Sequence, residues 1–204
     1  FPWLKGKEIL INKIPVRALR VNYVGELGWE LHHPMDQMVS LYDAICEVGK
    51  KENIVNFGIY AMNSMRMEKA YRGWGSELTG EISLVEAGMD RFFNLKKKNN
   101  FFGAKALQEK IQSGVDIKLV YLDVDVDNAD AMGNEPVYHK NQMVGVVTSG
   151  GYGFRVKKSL AFAYVKSDLA NSGTELEIEI QGQRKKTKIL DSVIYDSDNQ
   201  KLKA

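Results

Sequence analysis

Six short segments between Ile117 and Asp196 constrain what this chain can fold into more than any other feature. IKLVYLDVDV, NEPVYH, MVGVVTSG, SLAFAYV, TELEIEI and RKKTKILDSVIYD are rich in β-branched and aromatic residues, and Gly, Asn, Asp and Ser separate them. Five or six strands at this spacing predict a small antiparallel barrel or sandwich. GGYGF (150–154) is glycine-rich but lies between strands, the wrong context for a phosphate loop, and is expected to be a turn of that domain.

The first half has another texture. ILINKIPVRALRVNYV (9–24) reads as strand, with alternation at Leu19, Val21 and Tyr23, and WELHH continues as a second strand after a turn over Gly25–Gly28. Asp36 is a plausible N-cap for a helix in which Met38, Leu41, Tyr42, Ile45 and Val48 recur at helical spacing, with Gly49 as its stop. FGIYAMNSMRMEKAY (57–71) predicts a second helix with Ala61, Met62 and Met65 on one stripe, and RFFNL a short strand. The composition shifts at KKKNN (96–100), and FFGAKALQEKIQ (101–112) follows as a connecting helix closed by Gly114. The expected fold class is therefore α+β: an α+β unit over 1–95, a linker with a short helix over 96–114, and a compact β domain over 115–204.

Composition narrows the function classes. A net charge of +2 argues for neither nucleic acid nor a membrane surface as partner, and the lysine runs at 96–98 and 185–188 read as solvated faces. The single Cys46, set in a helical pattern, excludes an internal disulfide framework and reads as a small buried hydrophobe. His32, His33 and His139 show no metal-ligand spacing. No apolar run approaches the ~18 residues of a membrane span, so a reducing compartment, the cytoplasm by default, is expected. The chain opens on Phe1-Pro2-Trp3, already strand-like and without an initiator methionine, and is expected to be a piece of a longer polypeptide.

YVGELGWEL (23–31) carries the chemistry. If the hairpin closes at Val24 and Trp29 around Gly25-Glu26-Leu27-Gly28, Tyr23 stands directly opposite Glu30 on one face, with Cβ atoms roughly 4.5 to 5.5 Å apart. An ionised carboxylate accepts two parallel hydrogen bonds, so the pair suits the edge of a flat heterocycle that offers paired N–H donors. The plainer alternative is a cross-strand Tyr–Glu pair on a wet sheet face. A slip of one residue would separate the two side chains.

YVGELGWELHHP resembles the strand–turn–strand signature of the folate-binding glycine cleavage T-protein family. GIYAMNSMRMEKAYRGWGSELT with LVEAGM, FFGAKALQ and GVVTSGGYGFRVKKSLAFAYV are similar to further blocks of one branch, the C-terminal tetrahydrofolate domain of dimethylglycine and sarcosine dehydrogenases. The resemblance implies a partial folate-binding α+β domain followed by a β-barrel. It also implies an aminomethyltransferase module that passes a one-carbon unit from an N-methylated glycine to tetrahydrofolate. A flavin (FAD) domain would lie upstream, in a missing N-terminal portion of the same polypeptide, and the compartment would be the mitochondrial matrix if the source is eukaryotic. Carried over residue by residue, it makes Glu30 the pterin ligand and Tyr23 part of the same pocket.

Two departures stand out. Where T-proteins have an arginine and an aspartate one turn before the later arginine of the helix, this chain has Met62 and Asn63, so no arginine is assigned to the folate tail, and Arg66 is as well read as a packing residue. The family's catalytic aspartate lies before the region covered, so the acid/base is unknown. The K-G-C-x-x-G-Q-E motif of non-catalytic folate-binding relatives is absent. A stand-alone folate-dependent transferase or demethylase stays open as the alternative.

Overall fold

The computed structural model describes residues 1–97 and 101–204. Lys98, Asn99 and Asn100 of the expected KKKNN boundary lie outside the described residues.

Residues 9–24 are not one strand. The chain turns back at Asn12-Lys13, both at positive φ, and this primed turn joins β1 (Gly6–Ile11) to β2 (Ile14–Leu19). β3 (Glu30–His32) completes a three-stranded antiparallel sheet in the order β1-β2-β3. Alternation falls on Ile14, Val16 and Ala18, which point inward. Ile14 and Val16 pack against Leu41 of α1 (Met38–Gly49). Of the expected stripe on α1 only Leu41 is buried, because a three-stranded sheet covers a single row of the helix; Met38, Tyr42 and Val48 face outward. Asp36 caps nothing: it sits in a 3-10 turn, Met35–Gln37, ahead of the helix. The left-handed stop is Asn53 after a further 3-10 turn, not Gly49.

α2 (Ile59–Glu68) is buried at its C-terminal end, where Arg66, Met67 and Glu68 sink, rather than along the expected Ala61–Met62–Met65 stripe. RFFNL is not a strand; Asp90–Phe92 forms a 3-10 turn. α3 (Ala104–Ser113) follows.

The remainder closes into a six-stranded antiparallel barrel: β4 (Ile117–Val124), β5 (Pro136–His139), β6 (Gln142–Gly153), β7 (Lys158–Lys166), β8 (Glu175–Ile180) and β9 (Gln183–Ile189), in the circular order β4-β7-β6-β5-β8-β9. Closure gives each of the six strands a partner on both sides. Inward residues such as Leu122, Val137, Val147, Ala163, Ile178 and Ile189 fill it. β7 is apolar on both faces for a second reason. Its outward Leu160 and Phe162, with Tyr121 of β4, take Met67 and Ala70 from the end of α2. Met67 is fully buried there, worth about 1.5–3 kcal/mol. GGYGF is a strand end, not a turn: Gly150–Gly153 belong to β6, and the chain reverses after Phe154.

A short α4 (Gln200–Lys203) ends the chain. Among the described residues no helix is long and apolar enough to cross a membrane, and no group of three or more His, Cys, Asp or Glu side chains is placed to hold a metal ion.

Candidate functional site

The hairpin expected at Val24–Trp29 does not form. Glu30 pairs with Leu19, not Tyr23, and residues 20–29 run as an irregular connection. The cause is Asn22. Its Oδ1 accepts the N–H groups of Val24 (3.0 Å) and Gly25 (2.8 Å), so the Val24 amide is taken from the ladder and the chain bends at Gly25. Gly25 then takes φ +76°, and a Cβ there would meet Lys69 Cγ at 2.2 Å. That glycine serves close approach to Lys69 as well as the turn.

Tyr23 and Glu30 consequently part. Tyr23 is half-buried, its ring stacked on Tyr71 (centroids 5.9 Å) and its hydroxyl donating to Arg72 O at 2.5 Å. Burial raises its pKa, the nearby Arg66 charge opposes this and Glu77 adds to it, so the phenol stays neutral. Glu30 lies on the sheet with half of its side chain exposed, and Oε2 meets His32 Nε2 at 3.1 Å.

A cleft of about 740 Å³ opens beside Tyr23, between α2, the 73–78 loop and the outer face of β6. Tyr60, Met62, Trp74, Leu78 and Met132 give it apolar walls; Asn63, Ser76, Thr148 and Ser149 give it polar ones. Glu30 is not among its lining residues. Tyr60 and Trp74 are 86% and 83% exposed, so their aromatic faces are unpartnered within the described residues.

The two sides of the cleft are tied by Glu77, which sequence reasoning did not single out. This fully buried carboxylate accepts five bonds: from Arg66 Nη1 (2.9 Å), Gly73 N (2.7 Å), Ser76 Oγ (3.0 Å), Thr148 Oγ1 (2.6 Å) and Ser149 Oγ (2.5 Å). Consecutive strand residues normally point to opposite faces. The register slip of β6 against β7 between Val147 and Ser149 makes Thr148 an extra residue, which lets both hydroxyls reach one oxygen. Burial alone would raise the Glu77 pKa, but the bonds from Ser149, Thr148 and Gly73 and the Arg66 charge outweigh it and hold the carboxyl below its usual range.

Arg66 is accordingly a packing residue. It is 4% exposed and also bonds Tyr71 O and Asn63 Oδ1. Asn63 and Ser64 in turn donate to Gly150 O and Tyr152 O, docking α2 on β6.

Arg155 is a second joint, also unsuspected. Its side chain pairs with Glu68 and with Glu26 Oε1 (2.5 Å), donates to Val24 O and Met65 O, and stacks on Tyr195 at 3.8 Å. Its backbone N–H reaches Glu68 Oε1 at 2.6 Å. Gly153 is glycine because a Cβ would fall 2.8 Å from Glu68 Cγ. The first glutamate of YVGELG thus grips the barrel, and no local pattern could show it, since its partner is 129 residues away.

Comparison with known proteins bears on what this arrangement does. The family model described as the GCVT N-terminal domain matches residues 1–97, and that of the glycine cleavage T-protein C-terminal barrel domain matches residues 118–196. Dimethylglycine dehydrogenase, mitochondrial, of Rattus norvegicus is 43% identical over 183 residues, 90% of this chain and 21% of that protein. Sarcosine dehydrogenase, mitochondrial, of Mus musculus is 32% identical, over 92% of this chain and 21% of that protein. An aminomethyltransferase of Bacillus cereus is 31% identical, over 93% and 51%. The crystal structure of glycine cleavage system aminomethyltransferase T from Bartonella henselae shares the fold with a TM-score of 0.85 at 23% identity, covering 97% of this chain and 54% of that one. The chain thus spans about a fifth of the length of the dehydrogenases it matches and about half that of the aminomethyltransferase.

Proposed function

Since this chain belongs to the glycine cleavage T-protein family, we propose that it is a tetrahydrofolate-binding module that transfers a one-carbon unit from an N-methylated glycine, dimethylglycine or sarcosine, within a longer flavin-dependent dehydrogenase. The observation that carries the reading is the cleft beside Tyr23. A reduced folate is a flat heterocycle joined to an aryl amide, and the cleft offers the matching surfaces: the rings of Tyr23, Tyr60 and Trp74, the thioether of Met62, and polar edges at Asn63 and Ser76. The greater identity to dimethylglycine dehydrogenase than to the aminomethyltransferase, 43% against 31%, favours the dehydrogenase setting over a stand-alone transferase. The named relatives are mitochondrial, which favours that compartment where the source is eukaryotic.

Bound there, tetrahydrofolate would supply the nucleophilic amine that accepts the carbon. This chain's own contribution is positioning. Tyr23 offers a ring edge or face, since its hydroxyl is committed to Arg72 O. Glu30 lies outside the lining of that cleft, and its role as acceptor for the pterin N–H groups is proposed from the family resemblance alone; its Oε2 meets His32 Nε2, and half of its side chain is exposed. Glu77 is spent on structure and takes no part in proton transfer.

Glu30→Gln in the whole polypeptide keeps the shape and removes a charged acceptor. Calorimetry should show folate affinity weakened by about 1.5–3 kcal/mol. An unchanged Kd refutes the role of Glu30. The chain alone should form one-carbon-loaded folate far more slowly than the whole polypeptide, and equal rates would refute the modular reading.

A further inference from the structure

A ligand that ends in carboxylates needs a cation, and the cations lining the cleft are engaged. Met62 is apolar. Arg66 serves Glu77, Tyr71 and Asn63. Arg72 gives its N–H groups to the carbonyls of Ala70, Ala87 and Gly88. Arg91 is different. It stands on the 3-10 turn Asp90–Phe92, exposed, and its guanidinium forms no hydrogen bond or ion pair among the described residues. Its Cζ lies 4.7 Å from the Phe92 ring centroid, a stack that limits its conformers. Arg91 lines a second cavity, of about 270 Å³, and three residues wall both cavities: Tyr23, Arg72 and Leu78.

We infer that Arg91 is the anion anchor of this site and holds the carboxylate tail of a reduced folate whose rings lie against Tyr23 in the adjoining cleft. The inference rests on the folate reading above. A planar guanidinium already stacked and unpaired presents two parallel N–H donors to a carboxylate at little ordering cost, which a lysine would not. The site's anion binding therefore comes from the 83–92 segment instead of from α2.

The test compares two ligands on the whole polypeptide by calorimetry: 5-formyltetrahydrofolate, which carries the tail, and 6-methyltetrahydropterin, which lacks it. Arg91→Ala should weaken the tailed ligand about tenfold at low salt, and less at high salt, because an exposed pair is screened. The tailless ligand should bind wild type and variant alike, and Arg91→Lys should recover part of the loss. Equal affinity of wild type and Arg91→Ala for the tailed ligand overturns the anchor and leaves the folate reading standing. Equal weakening of both ligands also overturns it, because that is the mark of a merely structural arginine. If wild type binds neither ligand, the folate reading fails and the anchor with it.

Discussion

Glu77→Gln tests whether one buried carboxylate holds the walls of the cleft together. Its donors come from α2, the 73–78 loop and β6, so one side chain joins all three pieces. Glutamine keeps one acceptor oxygen and presents an NH2 to the other side. Turned toward Thr148 and Ser149, the amide is tolerable because hydroxyls can rotate to accept. Arg66, with a side chain 5% exposed, then loses its counter-charge. Breaking a buried pair costs about 3–5 kcal/mol, and the surviving neutral bonds return about 1 kcal/mol, so a loss near ~3 kcal/mol is expected. In urea unfolding followed by circular dichroism, a slope of about 2 kcal/mol/M converts this to a midpoint lower by about 1.5 M. The pH dependence has a definite sign. The folded pKa of Glu77 lies below its ordinary 4.5, so its stabilisation is complete above that pH and is lost as pH falls through the lower folded value. The gap between wild type and variant should therefore narrow on acidification below pH 4.5. A loss under about 1 kcal/mol at neutral pH, or a gap that does not change with acid, refutes the argument.

Gly25→Ala should destabilise by about 2–4 kcal/mol in the same assay, from left-handed strain plus displacement of Lys69, whose Nζ is tied to Asp196 O and Asn199. Arg155→Ala leaves Glu68 buried without its partner and should cost about 3–5 kcal/mol; Arg155→Lys should rescue little, because one ammonium cannot span Glu68, Glu26 and Val24 O. The chain on its own exposes Val55, Ile59, Tyr60 and Trp74, so sedimentation should show concentration-dependent association that the double substitution Ile59→Ser, Tyr60→Ser reduces.

What could be read from the sequence follows how far each interaction reaches. The barrel was legible because its cause is local: alternation and turn residues recur at each strand, and primed turns at Lys140-Asn141 and Gln181-Gly182 join β5 to β6 and β8 to β9. Both helices of the first unit were legible from 3.6-residue spacing, but not which face they bury, since that depends on what lies against them. The register at YVGELG was misread for a physical reason. Period and glycines describe a hairpin well, yet a single Asn22 side chain captures the Val24 amide that would close it, and the Gly25 amide beside it.

Glu77 and Arg155 were invisible for the opposite reason, since each is a long-range joint. Both connect the barrel to the first unit: Glu77 through Thr148 and Ser149, Arg155 through Glu68 and Glu26. The barrel therefore does more than follow the first unit in the chain. The 20–29 connection that carries Tyr23 makes few ladder bonds of its own. It is held where Glu26 meets Arg155 and Tyr195, and where Gly25 lies against Lys69. In this chain the segment that brings Tyr23 to the cleft is positioned from a distance, by residues that do not line the cleft themselves.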